Sequence, residues 1–313
     1  MALDPWSQAI TQAVDKVAPY VVSVTAVDAK ETRATVGTGL LIDREHVLTH
    51  SPLYTPGDRL SVAFADGERF EADMVTADPL YFLAVLGLRG EADLGAVPLV
   101  EAEDVRPGVL VLALGNAFRA ECGASLGVIS ASDVTIYRPE RFPVDGLILT
   151  DAAIHPAAHV GGPLISLDGR MVGMNWMQWT NGFSMCVSAP VVMRLAFQML
   201  DYGRATHPWL GFSGDAEVVS PMMAGLLQLP VQRGVAVKFV RDDGPGSRAG
   251  LEVFDLVVGV DGHAVQSLGG IRQQLATRRP GEFAELRVLR GDQLLQREMP
   301  VEEMPRLAST PWG

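Results

Sequence analysis

The sequence predicts a mostly β protein: two closed β-barrels in succession, then a smaller β-rich unit. Three observations carry that expectation. Short alternating or apolar runs recur through residues 21–187, parted by turn pairs such as Pro56-Gly57 and Asp66-Gly67. Glycine (32) and proline (20) are plentiful, and hydrophobic residues make up 48% of the chain, which suits a turn-rich protein with substantial cores. The length, 313 residues, accommodates two or three domains, and the chain changes character after the polar stretch 203–208.

The elements follow in order. Trp6, Ile10, Val14 and Val17 stand at helical spacing and predict a short amphipathic helix that ends before Ala18-Pro19. The runs Val21–Ala26, Gly37–Asp43, Leu60–Phe64, Phe70–Thr76 and Leu83–Leu88 make one barrel. The runs Val109–Gly115, Ala124–Ala131, Gly146–Thr150, Pro163–Ser166, Met171–Trp176 and Phe183–Val187 make a second. Residues 190–202 offer the apolar face Val191, Leu195, Phe197, Met199 and Leu200 of a helix. Residues 209–305 form the compact unit, with an N-terminal helical segment over 1–19, barrels over 20–202, a linker at 203–208 and a tail at 306–313.

Composition excludes several classes. The net charge of −12 and the pI near 4.9 argue against nucleic-acid or anionic-membrane binding, which needs a basic face. Two cysteines, Cys122 and Cys186, make neither a disulfide framework nor a metal-type spacing. No apolar run reaches 18 residues, so no membrane span is expected. The first nineteen residues lack the charged and apolar regions of a signal peptide, which favours the cytoplasm; an extracytoplasmic site stays open if the sequence is trimmed.

Two segments carry a resemblance. Val36–Leu88 and Thr150–Asn175 resemble the first barrel and the nucleophile region of the HtrA/Deg family, trypsin-like serine proteases with a PDZ domain. Gly234–Val265, with Ala249-Gly250-Leu251, Asp255-Leu256-Val257 and Asp261-Gly262, resembles the family's PDZ domain, although Val253-Phe254 replaces its usual Pro-Gly. The resemblance implies a chymotrypsin-like double β-barrel followed by one C-terminal PDZ domain.

The same resemblance places the catalytic triad. The slots for His, Asp and Ser read Pro52, Phe82 and Val160. A serine protease needs a nucleophile, a base and an orienting carboxylate, and these three side chains supply none of them. The loop 155–162 is one residue longer than the family's oxyanion loop and carries Ala where the family has its first glycine. The expectation is therefore a degenerate, catalytically inactive pseudoprotease: not an enzyme, but a scaffold or peptide-binding subunit. Replacing a whole buried polar network by apolar groups costs little, whereas removing one member strands the rest.

Two other readings stand beside it. His50, His155 and His159, with Ser51, allow a hydrolase with a non-standard site or a metal-binding site, although their spacing matches no known ligand motif. A chaperone-like holdase without chemistry is the third. No cofactor is expected. Trp176 and Trp179 fall where the family lines its substrate pocket, and they fill it or pack the barrel.

For the PDZ unit, Trp209-Leu210-Gly211-Phe212 resembles the family's carboxylate-binding loop, and Ile271 and Leu275, four apart, belong to the helix that walls the groove. Those six residues are the expected peptide-binding set, with hydrophobic C-termini as partners. Trp6, Ile10 and Val14 supply an apolar stripe for a homo-oligomer, a trimer as in the family, or for a mixed complex.

Overall fold

The computed structural model describes residues 3–55, 57–95, 105–116, 122–138, 142–179, 182–226, 232–276 and 278–305. Its elements, numbered in chain order, begin with helix α1 (Pro5–Val17), then strands β1 (Val21–Val27), β2 (Ala34–Leu41), β3 (His46–His50), β4 (Arg59–Ala63), β5 (Arg69–Asp78) and β6 (Leu83–Leu88). Asp4 starts α1 by accepting the amides of Trp6 and Ser7, with Pro5 at the first helical position. The six strands close as β1-β2-β3-β6-β5-β4. Val22, Val24, Leu41, Val47, Tyr54, Val62 and Leu86 fill that barrel.

The second barrel holds β7 (Leu110–Gly115), β8 (Gly123–Tyr137), β9 (Pro143–Thr150), β10 (Pro163–Ser166), β11 (Met171–Gln178) and β12 (Ser184–Ser188), closed as β10-β11-β12-β9-β8-β7. Helix α2 (Ala189–Tyr202) follows and ends on Gly203 in the left-handed conformation.

The remaining elements are β13 (Pro208–Trp209), β14 (Phe212–Val218), α3 (Pro221–Leu226), β15 (Arg233–Val240), α4 (Pro245–Arg248), β16 (Leu256–Val260), β17 (His263–Ala264), α5 (Leu268–Leu275), β18 (Phe283–Arg290), β19 (Gln293–Pro300) and β20 (Glu302–Glu303). Their main sheet runs β14-β15-β16-β18-β19, which leaves β14 at an edge. Val235, Val237, Val257, Leu286, Val288, Ile271 and Leu275 form its core.

The chain divides into two compact units. One is built mainly of Met1–Val134 and Gly146–Ala205, and the other of Thr135–Asp145 with Thr206–Arg306. No described helix is long and apolar enough to cross a membrane.

Candidate functional site

Three loops converge in the barrel unit. Strand β3 ends at His50, which pairs with Leu83 at the start of β6. The Ser51 amide donates to the Phe82 carbonyl (2.8 Å), so the two segments are stitched at the residues next to Pro52 and Leu83. Pro52 is exposed in a short 3-10 turn, Phe82 is half-buried, and Val160 is 5% exposed. The loop before Gly162 reaches the same place. A Cβ built on Gly161 would lie 2.2 Å from the Thr38 carbonyl oxygen and 3.3 Å from the His50 nitrogen.

Phe82 adopts φ +55°, a left-handed backbone that L-residues avoid. Its ring meets His50 edge-on (5.8 Å between centroids) and lies 6.2 Å from Trp176. Trp176 is buried, whereas Trp179 is 42% exposed.

The loop 155–162 is held by buried polar groups that the sequence reading did not single out. Asn175 is fully buried, and its Nδ2 donates to the carbonyls of Leu114, His159 and Pro163. Thr38 Oγ1 donates to the Ala158 carbonyl (2.6 Å) and accepts the Asn116 amide. The amides of Ala158 and His159 both donate to the His155 carbonyl (3.0 and 2.9 Å), so these two N–H groups are used inside the loop. The only advance signal was the loop's extra residue.

His155 is exposed and His159 half-buried, and the His159 Nδ1 accepts the His155 amide (3.0 Å). Burial, and then the neighbouring His155, hold the His159 imidazolium below its ordinary pKa. Among the described residues no group of three or more His, Cys, Asp or Glu is placed to hold a metal, so His50, His155 and His159 do not gather as ligands. Cys186 is buried and its thiol pushed up by desolvation, and Cys122 is pushed up to about 11 for the same reason, so neither is a thiolate nucleophile.

His50 is the histidine most altered by the fold. Desolvation pushes it down to about 4, because the enclosed ring cannot hydrate its charged form. Its Nδ1, the Ser51 Oγ and the Trp176 Nε1 are buried without a hydrogen-bond partner among the described residues. A folded pKa below the unfolded value means that the unfolded chain binds more protons between pH 6.5 and about 4. Stability of this unit should therefore fall as pH drops through that window, by about 3 kcal/mol from this group. Chemical denaturation at pH 7 and pH 4 checks it: His50→Gln should flatten the dependence, and an unchanged pH slope in the variant would refute the assignment.

In the second unit, Gly211 turns the loop with φ +75°. The Leu210 carbonyl accepts the Gly246 amide and the Gly211 carbonyl accepts the Arg241 amide (both 2.8 Å). Each peptide plane points its N–H opposite to its carbonyl, so the amides of Gly211 and Phe212 face away from those partners. Trp209, Leu210 and Phe212 are buried at 8%, 4% and 5%. Ile271 and Leu275 turn into the core with Leu268, at 2% and 1% exposure. Asp255, 1% exposed, is held by Arg290 (2.7 and 2.8 Å) and accepts the Glu252 amide, which makes it a structural pin of the Val253-Phe254 turn. Phe254 itself sits at φ +77°, a conformation glycine would adopt at lower cost.

The comparisons agree with these geometries. Residues 37–174 match the trypsin-like peptidase domain family, and residues 197–301 match the PDZ domain family. The chain belongs to the HtrA/Deg family. A protein of Halomonas elongata named "Probable periplasmic serine endoprotease DegP-like" is 31% identical over 267 residues, covering 83% of this chain and 55% of that protein. The serine endoprotease DegS of Escherichia coli strain K12 is 28% identical over 283 residues, covering 87% of this chain and 78% of DegS. A solved structure of the HtrA-type protease AlgW with a tripeptide superposes with a TM-score of 0.73 at 26% identity, covering 95% of this chain and 98% of that one. The chain spans little more than half the length of the DegP-like relatives it matches.

These relatives correct the expectation of a non-enzyme. Proteins similar over most of this HtrA/Deg chain are named serine endoproteases, and they point to a protease. The physical reason is the scaffold. The match to the HtrA-type protease structure extends along 95% of the chain, over the barrels and the PDZ unit alike. Three side chains weighed alone do not set the class of a fold conserved to that extent.

Proposed function

We propose that this HtrA/Deg protein captures the C-termini of hydrophobic peptides in its PDZ unit, in the service of a serine-endoprotease-class barrel. The observation that carries the reading is the loop 209–212. Its carbonyls are tied inward and its Gly211 and Phe212 amides are turned outward, next to the edge strand β14. Outward amides in a tight turn stabilise a carboxylate, and an edge strand pairs with an extended peptide. Ile271 and Leu275 would form the floor of that groove rather than its rim. A dye-labelled peptide ending in valine with a free carboxylate should bind at least tenfold tighter than its C-terminal amide. Equal binding of the two forms would remove the carboxylate from the account.

We assign Pro52, Phe82 and Val160 to the three positions that match the family's triad. Peptide-bond hydrolysis by this chain then draws on other groups of the same cleft. A non-standard site around His50, Ser51, His155 and His159 is the second reading. It is favoured by the Ser51 Oγ and His50 Nδ1, both buried without a partner among the described residues, and by an imidazole kept neutral at pH 7. Fluorophosphonate labelling that maps to Ser51 supports it, and labelling that survives Ser51→Ala removes it.

For assembly we propose a homo-oligomer through α1. Ala13 and Val17 are buried while Trp6 is 66% exposed, so the outer part of the stripe is left for a partner. Light scattering should give a mass near three times 33.6 kDa, and Trp6→Ala should shift it toward the monomer. A monomer mass for the unaltered chain would contradict this. The periplasmic names of the relatives support an extracytoplasmic site, the second of the two compartments left open above; fractionation of cells carrying the tagged chain tests it.

A further inference from the structure

Three enclosed polar atoms of the barrel unit surround one side chain. The Ser51 Oγ, the His50 Nδ1 and the Trp176 Nε1 are buried without a hydrogen-bond partner among the described residues. All three residues meet at Phe82. Its ring faces the edge of the His50 ring on one side and Trp176 on another, and its carbonyl accepts the Ser51 amide. Ser51 and Trp176 are closed off from solvent, whereas Phe82 reaches it.

Phe82 is held there at a cost. Asp78 accepts the amides of Leu80 (3.3 Å) and Tyr81 (3.2 Å), which tightens the turn from β5 into β6. The turn leaves Phe82 at φ +55°, a backbone that glycine adopts with least strain. Tyr81 and Leu83 on either side are buried and anchor the main chain. The ring can swing out about its side-chain bonds while that main chain stays in place. A strained residue lying over unpaired polar groups is a closed state with little to hold it. Swinging the ring out frees its place beside all three groups.

We propose that Phe82 is a movable plug over a binding site for a neutral carboxamide, with the Trp176 indole and the Ser51 hydroxyl as donors to its oxygen and the His50 Nδ1 as acceptor of its N–H. The polar set selects the ligand. An indole N–H only donates, a hydroxyl does either, and a neutral imidazole has one nitrogen that accepts. Desolvation keeps the His50 ring neutral at pH 7, so none of the three groups carries a charge to hold a carboxylate. An uncharged amide satisfies them without burying an ion. The backbone amide of a peptide has this chemistry, and an aromatic side chain next to it would take the place of the Phe82 ring. The proposal goes beyond the second reading above, because it concerns access to Ser51 and not its reactivity.

The test uses the full chain with benzamide and toluene, which share a ring and differ in the amide. Phe82→Gly removes the plug and suits the backbone at that position. In calorimetric titrations this variant should bind benzamide at least tenfold tighter than the unaltered chain does, and at least tenfold tighter than it binds toluene. Adding Trp176→Phe should weaken benzamide roughly fivefold, the loss of about one hydrogen bond. N-acetylphenylalaninamide, a peptide unit with the same ring, should bind Phe82→Gly as well. Its exclusion while benzamide binds would overturn the peptide assignment in favour of a free small amide. In the unaltered chain, benzamide should move the Trp176 indole N–H resonance downfield, a readout that does not depend on the variant folding. Toluene bound as tightly as benzamide would overturn the polar site. An indole resonance that stays in place up to the solubility limit of benzamide would overturn it alone. Neither result touches peptide capture by the PDZ unit.

Discussion

Gly161→Ala should lower the melting temperature of the barrel unit by roughly 10 °C. The residue sits at φ +91°, and a Cβ there would be 2.2 Å from the Thr38 carbonyl oxygen, a backbone atom that cannot swing aside. The left-handed backbone alone costs about 1–3 kcal/mol, and relieving the clash costs a similar amount again. For a unit of this size about 3 kcal/mol or more corresponds to that shift in melting temperature. The strain also has an address. The Gly161 amide donates to the Asn175 carbonyl and the Asn175 amide donates to the Gly162 carbonyl, so moving the turn loosens the loop 155–162. Differential scanning calorimetry of the variant measures the effect. A shift under 2 °C would mean that the turn can relax and that the close approach of the loops is not required.

Gly211→Ala is the second large expected effect, and it acts on binding more than on stability. At φ +75°, a Cβ would lie 2.7 Å from Pro245 Cδ and 3.0 Å from its nitrogen. Pro245 opens α4, a rigid neighbour, so the loop rather than the helix would shift. Two inward bonds set the direction of the outward amides, Gly246 to Leu210 and Arg241 to Gly211. Tilting those peptide planes spoils the carboxylate site. The stability cost should be about 1–2 kcal/mol, and the loss of peptide affinity at least tenfold. Anisotropy with the free-carboxylate peptide reads it. Unchanged affinity in a folded variant would show that the loop is not the binding element.

Much of this architecture was legible before the structure. The helical spacing of Trp6, Ile10, Val14 and Val17 placed α1, and the apolar runs placed most of both barrels and the PDZ unit. β3 was not expected. It is five residues with a histidine at each end, too short and too polar at its ends for a periodic signal. β8 extends six residues beyond the expected run, through the polar, largely unburied stretch Ser132–Tyr137, in a strand paired within a closed barrel, where pairing overrides local polarity.

The site was legible only in part. Trp209–Phe212 and the loop 155–162 carried motif signals, and the structure shows how their backbones are held. Thr38, Asn116 and Asn175 knit that region through bonds spanning from 12 to 120 residues of sequence, which no local pattern reveals. The class of the protein was misjudged from Pro52, Phe82 and Val160 because three side chains were weighed without the scaffold around them.

Peptide capture at the Gly211 and Phe212 amides is the claim on which the rest depends. A ¹⁵N-resolved NMR titration with the free-carboxylate peptide tests it most directly. The account predicts that the amide resonances of Gly211 and Phe212 move downfield and furthest. Shifts that spare residues 210–214, or none at a peptide concentration that saturates binding, would contradict it.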